Sequence, residues 1–242
     1  MVQQLLPLLP KELGQVALIA ALTGTIIGAV LWLLGARFSR PLVTLVAVGI
    51  GAFVGRQMPA WMNWNVNSMA ASVGGAVVLG MSGFLLHRVW VGLGLGLLLT
   101  LWAAVAVWVF GGGAGTQFTW PAIDATTTWQ SLGQSMWDQL PDNVRKLLPY
   151  ACGGAMVSGF LLSLIWPKFG TVMLYSALGT SLVVVLGLLT IEAKRPAWMD
   201  HVPSQTWAQV ATLLGLVAFG AIVQWQTAPS RPASAGPTKG EE

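Results

Sequence analysis

The sequence predicts an all-α fold, a polytopic transmembrane bundle of seven helices. Three observations predict it. Hydrophobic residues make up 55% of the chain and charged residues only 8%, against about 25% charged in a soluble domain. Such a chain cannot cover a water-facing surface, so most of its surface belongs in lipid. Second, the apolar residues fall into runs of the length that crosses a hydrocarbon core, roughly 20 residues at about 1.5 Å each. Third, no charged residue falls in the middle of any run.

Seven runs qualify: 13–34, 41–58, 69–86, 89–110, 147–166, 169–191 and 205–225. The third and fourth are separated only by His87 and Arg88. One helix across both would be about twice the thickness of the core, so a tight turn is required there. The organisation expected is an outer N-terminal segment 1–12, a seven-span domain 13–225 and a disordered tail 226–242. The tail, rich in Pro, Ala, Ser and Gly, has too little apolar surface to offset its ordering entropy. The N-terminus has no basic region or cleavage site of a signal peptide, so the first run is expected to be retained. The outer loop 111–146 opens with Gly111, Gly112, Gly113 and Gly115. It continues with Trp129, Leu132, Met136, Trp137 and Leu140 at helical spacing, which predicts an interfacial helix at 127–140.

With the N-terminus outside, Arg37, Arg40, Arg88, Lys168, Arg231 and Lys239 lie inside. Lys11, Arg56, Arg145, Lys146, Lys194 and Arg195 lie outside. The counts tie, but the inner cations sit in very short turns without acids, and this favours N-outside, C-cytoplasmic. Short loops and a single cysteine fit a bacterial inner membrane. Tryptophans cluster at run ends: Trp32, Trp90, Trp166 and Trp225 inside, with Trp61, Trp64, Trp108, Trp120, Trp129, Trp137, Trp198 and Trp207 outside. Only Trp102 falls mid-span. That is the pattern of an aromatic belt at the headgroups.

The most specific local signal is a repeat. Gly74-Gly75-Ala76 precedes Ser82-Gly83-Phe84-Leu85-Leu86, and Gly153-Gly154-Ala155 precedes Ser158-Gly159-Phe160-Leu161-Leu162. A basic turn follows each copy, and the first hairpin is a looser third copy. The expectation is three Gly-rich helical hairpins plus a final helix. Lipid supplies no hydrophobic force between helices, so small residues must admit close backbone approach. The candidate packing positions are Gly24, Gly28, Gly51, Gly55, Gly75, Gly83, Gly154 and Gly159.

The glycine-rich first hairpin with its basic turn (Gly28 to Arg37, then Gly49-Ile50-Gly51) and the Gly-Phe-Leu-Leu-His-Arg run at 83–88 resemble the transmembrane protein 198 family. The resemblance spans residues 13–225 and rests on glycine patterning and topology. It implies a seven-span membrane protein with an outside N-terminus and no catalytic residues to carry over. A vertebrate relative in that family is described as a membrane scaffold in signalling.

Candidate chemistry is sparse. Gly80-Met81-Ser82-Gly83 matches the Gly-x-Ser-Gly of rhomboid proteases, whose serine needs a histidine base from another span. His87 is on the same run and His201 is in an outer loop. Thr23, Thr25, Thr44, Ser72, Thr100, Ser176, Thr180 and Ser181 could line a permeation path, or bond backbone carbonyls within and between helices. Arg56, beside Pro59 and Trp61, reads as a snorkelling anchor. His87 and Arg88 read as a topology-setting turn or a lipid-phosphate contact. One cysteine and two histidines leave no metal constellation. No cofactor motif and no nucleic-acid stripe appear. The sequence therefore leaves two readings. One is a non-enzymatic membrane protein, a scaffold or accessory subunit whose partners are the bilayer, other membrane proteins or itself. The other is a small-solute or ion permeation protein.

Overall fold

A computed structural model describes residues 15–111, 128–203 and 205–227. Among these residues the chain is helical with no strand. Eight α-helices follow in order: α1 Gln15–Leu34, α2 Ser39–Met62, α3 Ser68–Leu85, α4 His87–Phe110, α5 Trp129–Asp138, α6 Asp142–Ile165, α7 Pro167–Lys194 and α8 Thr206–Thr227. A 3-10 turn, Pro196–His201, precedes α8. Six helices (α2, α3, α4, α6, α7 and α8) are long and apolar enough to cross a membrane, and Ile19–Leu34 of α1 forms a shorter apolar helix. The fold is a multi-pass helical membrane bundle. The N-terminal segment 1–12, the glycine-rich start of the outer loop and the tail beyond Thr227 lie outside the described residues.

The ends of the helices follow local chemistry. Phe38 sits in the turn between α1 and α2. Asn63 ends α2 with a left-handed backbone at φ 51°, a conformation that asparagine adopts more readily than most residues. The Asn67 side chain caps α3 by accepting from Met69 N–H at 2.8 Å. The tight turn expected near His87 is a single residue, Leu86, between α3 and α4. Trp166 plays the same part between α6 and α7, where Pro167 opens the new helix. α6 starts at Asp142, earlier than its apolar run, because Pro141, Asp142 and Asn143 supply an N-terminus outside the apolar part.

The helix expected at 127–140 is present as α5, Trp129–Asp138, slightly shorter than expected. Thr128 and Ser131 form a reciprocal cap at its start. Leu132, Met136 and Leu140 are half-buried, while Gln134 and Asp138 face out. The Arg145 guanidinium donates to the Asp138 carbonyl at 3.0 Å, tying α6 back to the end of α5.

The three short joints (Gly35–Phe38, Leu86 and Trp166) fall on one boundary, here the joint face. The segments 63–67 and 128–141 and the 3-10 turn fall on the other, the loop face. Helices joined across the joint face are not each other's closest partners. α2 packs most closely on α3, α4 on α6, and α1 on α7, with α8 completing the α7 surface. The expectation of consecutive Gly-rich hairpins therefore gives way to pairing between antiparallel spans, two of the three pairs being distant in sequence. α7 is the centre. Its apolar window is 39% buried, against 11% for α3. Val43, Val91, Leu95, Leu98, Leu174, Ala177 and Val217 form the buried core between α2, α4, α7 and α8.

Candidate functional site

Two features organise the bundle: glycine seams between paired helices, and a polar lock on the joint face. Both arise from groups that lipid cannot satisfy.

The seams are places where backbone meets backbone. A Cβ on Gly51 would run into the Gly75 carbonyl, one on Gly75 into the Gly51 carbonyl, and one on Gly55 into the Ala71 carbonyl. Further along the same seam, a Cβ on Gly83 would lie 2.7 Å from that of Ala47. Between α4 and α6, a Cβ on Gly159 would come to 2.8 Å from Gly96 Cα. In the α1–α7 seam, Gly24 faces the end of the Leu186 side chain, and a Cβ on Gly28 would sit 2.8 Å from Leu182 Cβ. Side chains at these positions would push helices apart.

Gly154 is a correction. It is exposed, and nothing lies within 4 Å of where its Cβ would be. One residue advances a helix by about 100°, and the α4-facing side of α6 is set by Gly159, which leaves Gly153 and Gly154 toward lipid. Further close-packed glycines lie outside the eight candidate positions. Gly96 faces Met156, Gly170 faces Ser163, Gly179 faces the Trp32 backbone, and Gly220 faces the Trp32 ring.

The polar lock centres on Gln224, fully buried near the end of α8. Its side-chain amide donates to the Trp32 carbonyl at 2.6 Å and the Leu31 carbonyl at 3.1 Å. Its side-chain oxygen accepts from Ala36 N–H at 3.1 Å. Gln224 thereby satisfies the Trp32 carbonyl at the end of α1 and adds a second donor to the Leu31 carbonyl, which also accepts from Gly35 N–H at 2.9 Å. Tyr175 Oη donates to the Ser39 carbonyl at 3.2 Å, joining α7 to the start of α2. Ser176 Oγ donates to the Val217 carbonyl at 2.6 Å, joining α7 to α8. Trp32 Nε1 donates to the Leu216 carbonyl at 3.0 Å, and its ring lies 5.6 Å from that of Phe219.

Trp32 is thus a packing residue rather than a belt residue, and so is Trp90, whose Nε1 donates to Ser82 Oγ at 3.2 Å. Mid-span Trp102 donates to Ser181 Oγ at 3.2 Å. Trp61, Trp64, Trp166, Trp198, Trp207 and Trp225 are exposed near helix ends, as an aromatic belt requires.

The hydroxyl groups separate the chemical candidates. Ser82 Oγ donates to the Leu79 carbonyl at 2.9 Å and accepts from Trp90. His201 stands in the 3-10 turn at the loop face, at the opposite boundary. His87, expected on the same run as Ser82, instead opens α4, and its Nε2 has no hydrogen-bond partner, so no bond from it reaches Ser82. Of the eight candidate path residues, Thr25, Thr44, Ser72, Thr100, Ser176 and Ser181 donate to backbone carbonyls. The Ser72 bond crosses to Ala52 on α2 at 2.9 Å, and Thr100 also reaches Cys152 on α6 at 3.2 Å. Thr23 is exposed. Thr180 and Ser163 are buried without a partner. Among the described residues, no three His, Cys, Asp or Glu side chains come together.

The joint face carries Arg37, Arg40, Arg88 and Lys168, all exposed. Lys168 Nζ sits 4.6 Å from the centre of the Trp225 ring. Comparison with protein-family models, with curated proteins and with solved structures found no match.

Proposed function

We propose that this chain is a non-enzymatic multi-pass membrane protein that serves as a scaffold or accessory subunit. One observation carries the reading. Six of the eight hydroxyls that could line a path are spent on backbone carbonyls, some within their own helix and others across different seams. A hydroxyl that donates to a backbone carbonyl has no proton left to offer a solute. Ser82 Oγ is held by the Leu79 carbonyl and the Trp90 indole, which supports the same reading.

The finer identity belongs with this proposal. It is a seven-span protein, with α1 as the first span, related to the transmembrane protein 198 family. Its joint face is cytoplasmic, its N-terminus is outside, and it resides in a bacterial inner membrane. The unpaired cations of the joint face support this orientation. Its partners are the bilayer and other membrane proteins or further copies of itself.

The permeation reading keeps one supporting observation, the buried and unpartnered hydroxyls of Thr180 and Ser163. A path would have to pass them, since isolated buried hydroxyls otherwise go unsatisfied. Flux in proteoliposomes separates the two. The scaffold reading expects no ion or small-solute efflux above protein-free vesicles. Efflux that Thr180→Val lowers would overturn it.

A further inference from the structure

The joint face brings cations together from two separate turns. The His87 ring opens α4 and faces the Ser39 backbone at the start of α2, with both Arg40 and Arg88 within electrostatic reach. Arg37 is in the same α1–α2 turn, with its guanidinium 6.0 Å from the Phe38 ring. Asp138, Asp142 and Glu192, the carboxylates whose side chains are described, all stand toward the loop face. Three guanidinium groups therefore share one boundary, with no described carboxylate on that side. Their repulsion is felt more strongly beside a hydrocarbon layer than in open water.

Two other groups favour an anion at this place. α2 and α4 both begin here without a side-chain cap, so their first N–H groups remain available to an acceptor. Beside these polar groups stand exposed apolar side chains, Phe38 and Leu86. A ligand with an anionic head and an apolar body matches both halves of this surface.

We infer that Arg40 and Arg88, with Arg37 and the His87 ring beside them, form a binding site for the phosphate of an anionic phospholipid between the α1–α2 and α3–α4 joints. The guanidinium groups offer paired N–H donors to phosphate oxygens, and the acyl chains lie against Phe38 and Leu86. The lipid neutralises the two turns and holds the α2–α3 pair against the start of α4.

The test uses the full chain, purified in detergent and stripped of lipid. Native mass spectrometry with added phosphatidylglycerol, phosphatidylcholine or inorganic phosphate reads occupancy. Phosphatidylglycerol is expected to bind in preference to phosphatidylcholine. Arg40→Gln/Arg88→Gln is expected to weaken its retention about thirtyfold, from the usual attraction of two surface cations for anionic lipid. Arg40→Lys/Arg88→Lys, which keeps the charge, is expected to retain most of it. Arg56→Gln/Lys194→Gln, which removes two cations from the loop face, is expected to change nothing. Equal retention of the two lipids, or undiminished retention in the double Gln variant, would overturn the proposal. Displacement of the lipid by equimolar inorganic phosphate would also overturn it, reassigning the site to a soluble anion.

Discussion

The α2–α3 pair and the body built on α7 solve the same problem in different ways. In the α2–α3 pair, contact is made almost wholly by backbone. Gly51, Gly55 and Gly75 bring the two helices against each other, and Ser72 adds one hydrogen bond across the seam. The pair meets the rest of the molecule mainly toward the joint face, through Ser39, Val43 and Ser82. In the body, glycine contacts are combined with buried side-chain amides, hydroxyls and indoles. Gln224, Ser176, Tyr175 and Trp32 each bond a backbone carbonyl of another element. Glycine alone suffices where two helices need only each other. A helix that must hold several partners at once needs directional bonds as well, because dispersion contacts do not select among apolar surfaces.

This contrast sets the expected order of mutational effects. The largest belongs to Gly179→Leu. It would drive a side chain into the Trp32 backbone at the centre of the body, and overpacking of this kind costs about 3 kcal/mol or more. Global loss of a monodisperse elution peak is the expected readout. Gln224→Leu comes next. It leaves Ala36 N–H and the Trp32 carbonyl without partners, a loss of about 2–3 kcal/mol. Thermal unfolding in detergent should register it as one cooperative shift, because the lock joins α8 to α1.

Gly55→Ala is expected to cost about 1–3 kcal/mol, but locally. Its signature is faster proteolysis within 63–67, with the body's unfolding transition little changed. Ser72→Ala should weaken the same pair by about 0.6 kcal/mol, the usual value for a hydrogen bond between membrane helices. Gly154→Ala should be neutral or stabilising by up to about 1 kcal/mol, since the methyl meets only open space on a helix that glycine disfavours. Destabilisation by that substitution would show that α6 has a second packing face.

The spans were legible because apolar length is a strong signal, and the joints because Leu86 and Trp166 lie between runs that no single helix could join. The helix at 127–140 was legible from its stripe, of which Leu132, Met136 and Leu140 are half-buried while Trp137 is exposed. Pairing was not legible. Gly24 and Gly28 mark one side of α1 as close-packed, but that stripe would suit α2 as well as α7. The repeat misled at Gly154 because the spacer between its two halves differs by three residues, which turns the Gly-Gly pair around the helix. Gln224 escaped notice for another reason. Its partners are backbone groups some 190 residues away, and any residue type supplies those.

The central claim is that the bundle is assembled by pairs that cross the chain order, with α1 held by α7 and not by α2. Disulfide trapping in native membranes, in a Cys152→Ser background, tests it directly. A cysteine pair introduced by Gly24→Cys and Leu186→Cys should oxidise readily, since a Cβ at Gly24 meets only the end of the Leu186 side chain, which the second substitution removes. The pair Gly24→Cys and Ile50→Cys, which a consecutive hairpin would bring together, should stay reduced. Rapid oxidation of the second pair with none in the first would contradict the account.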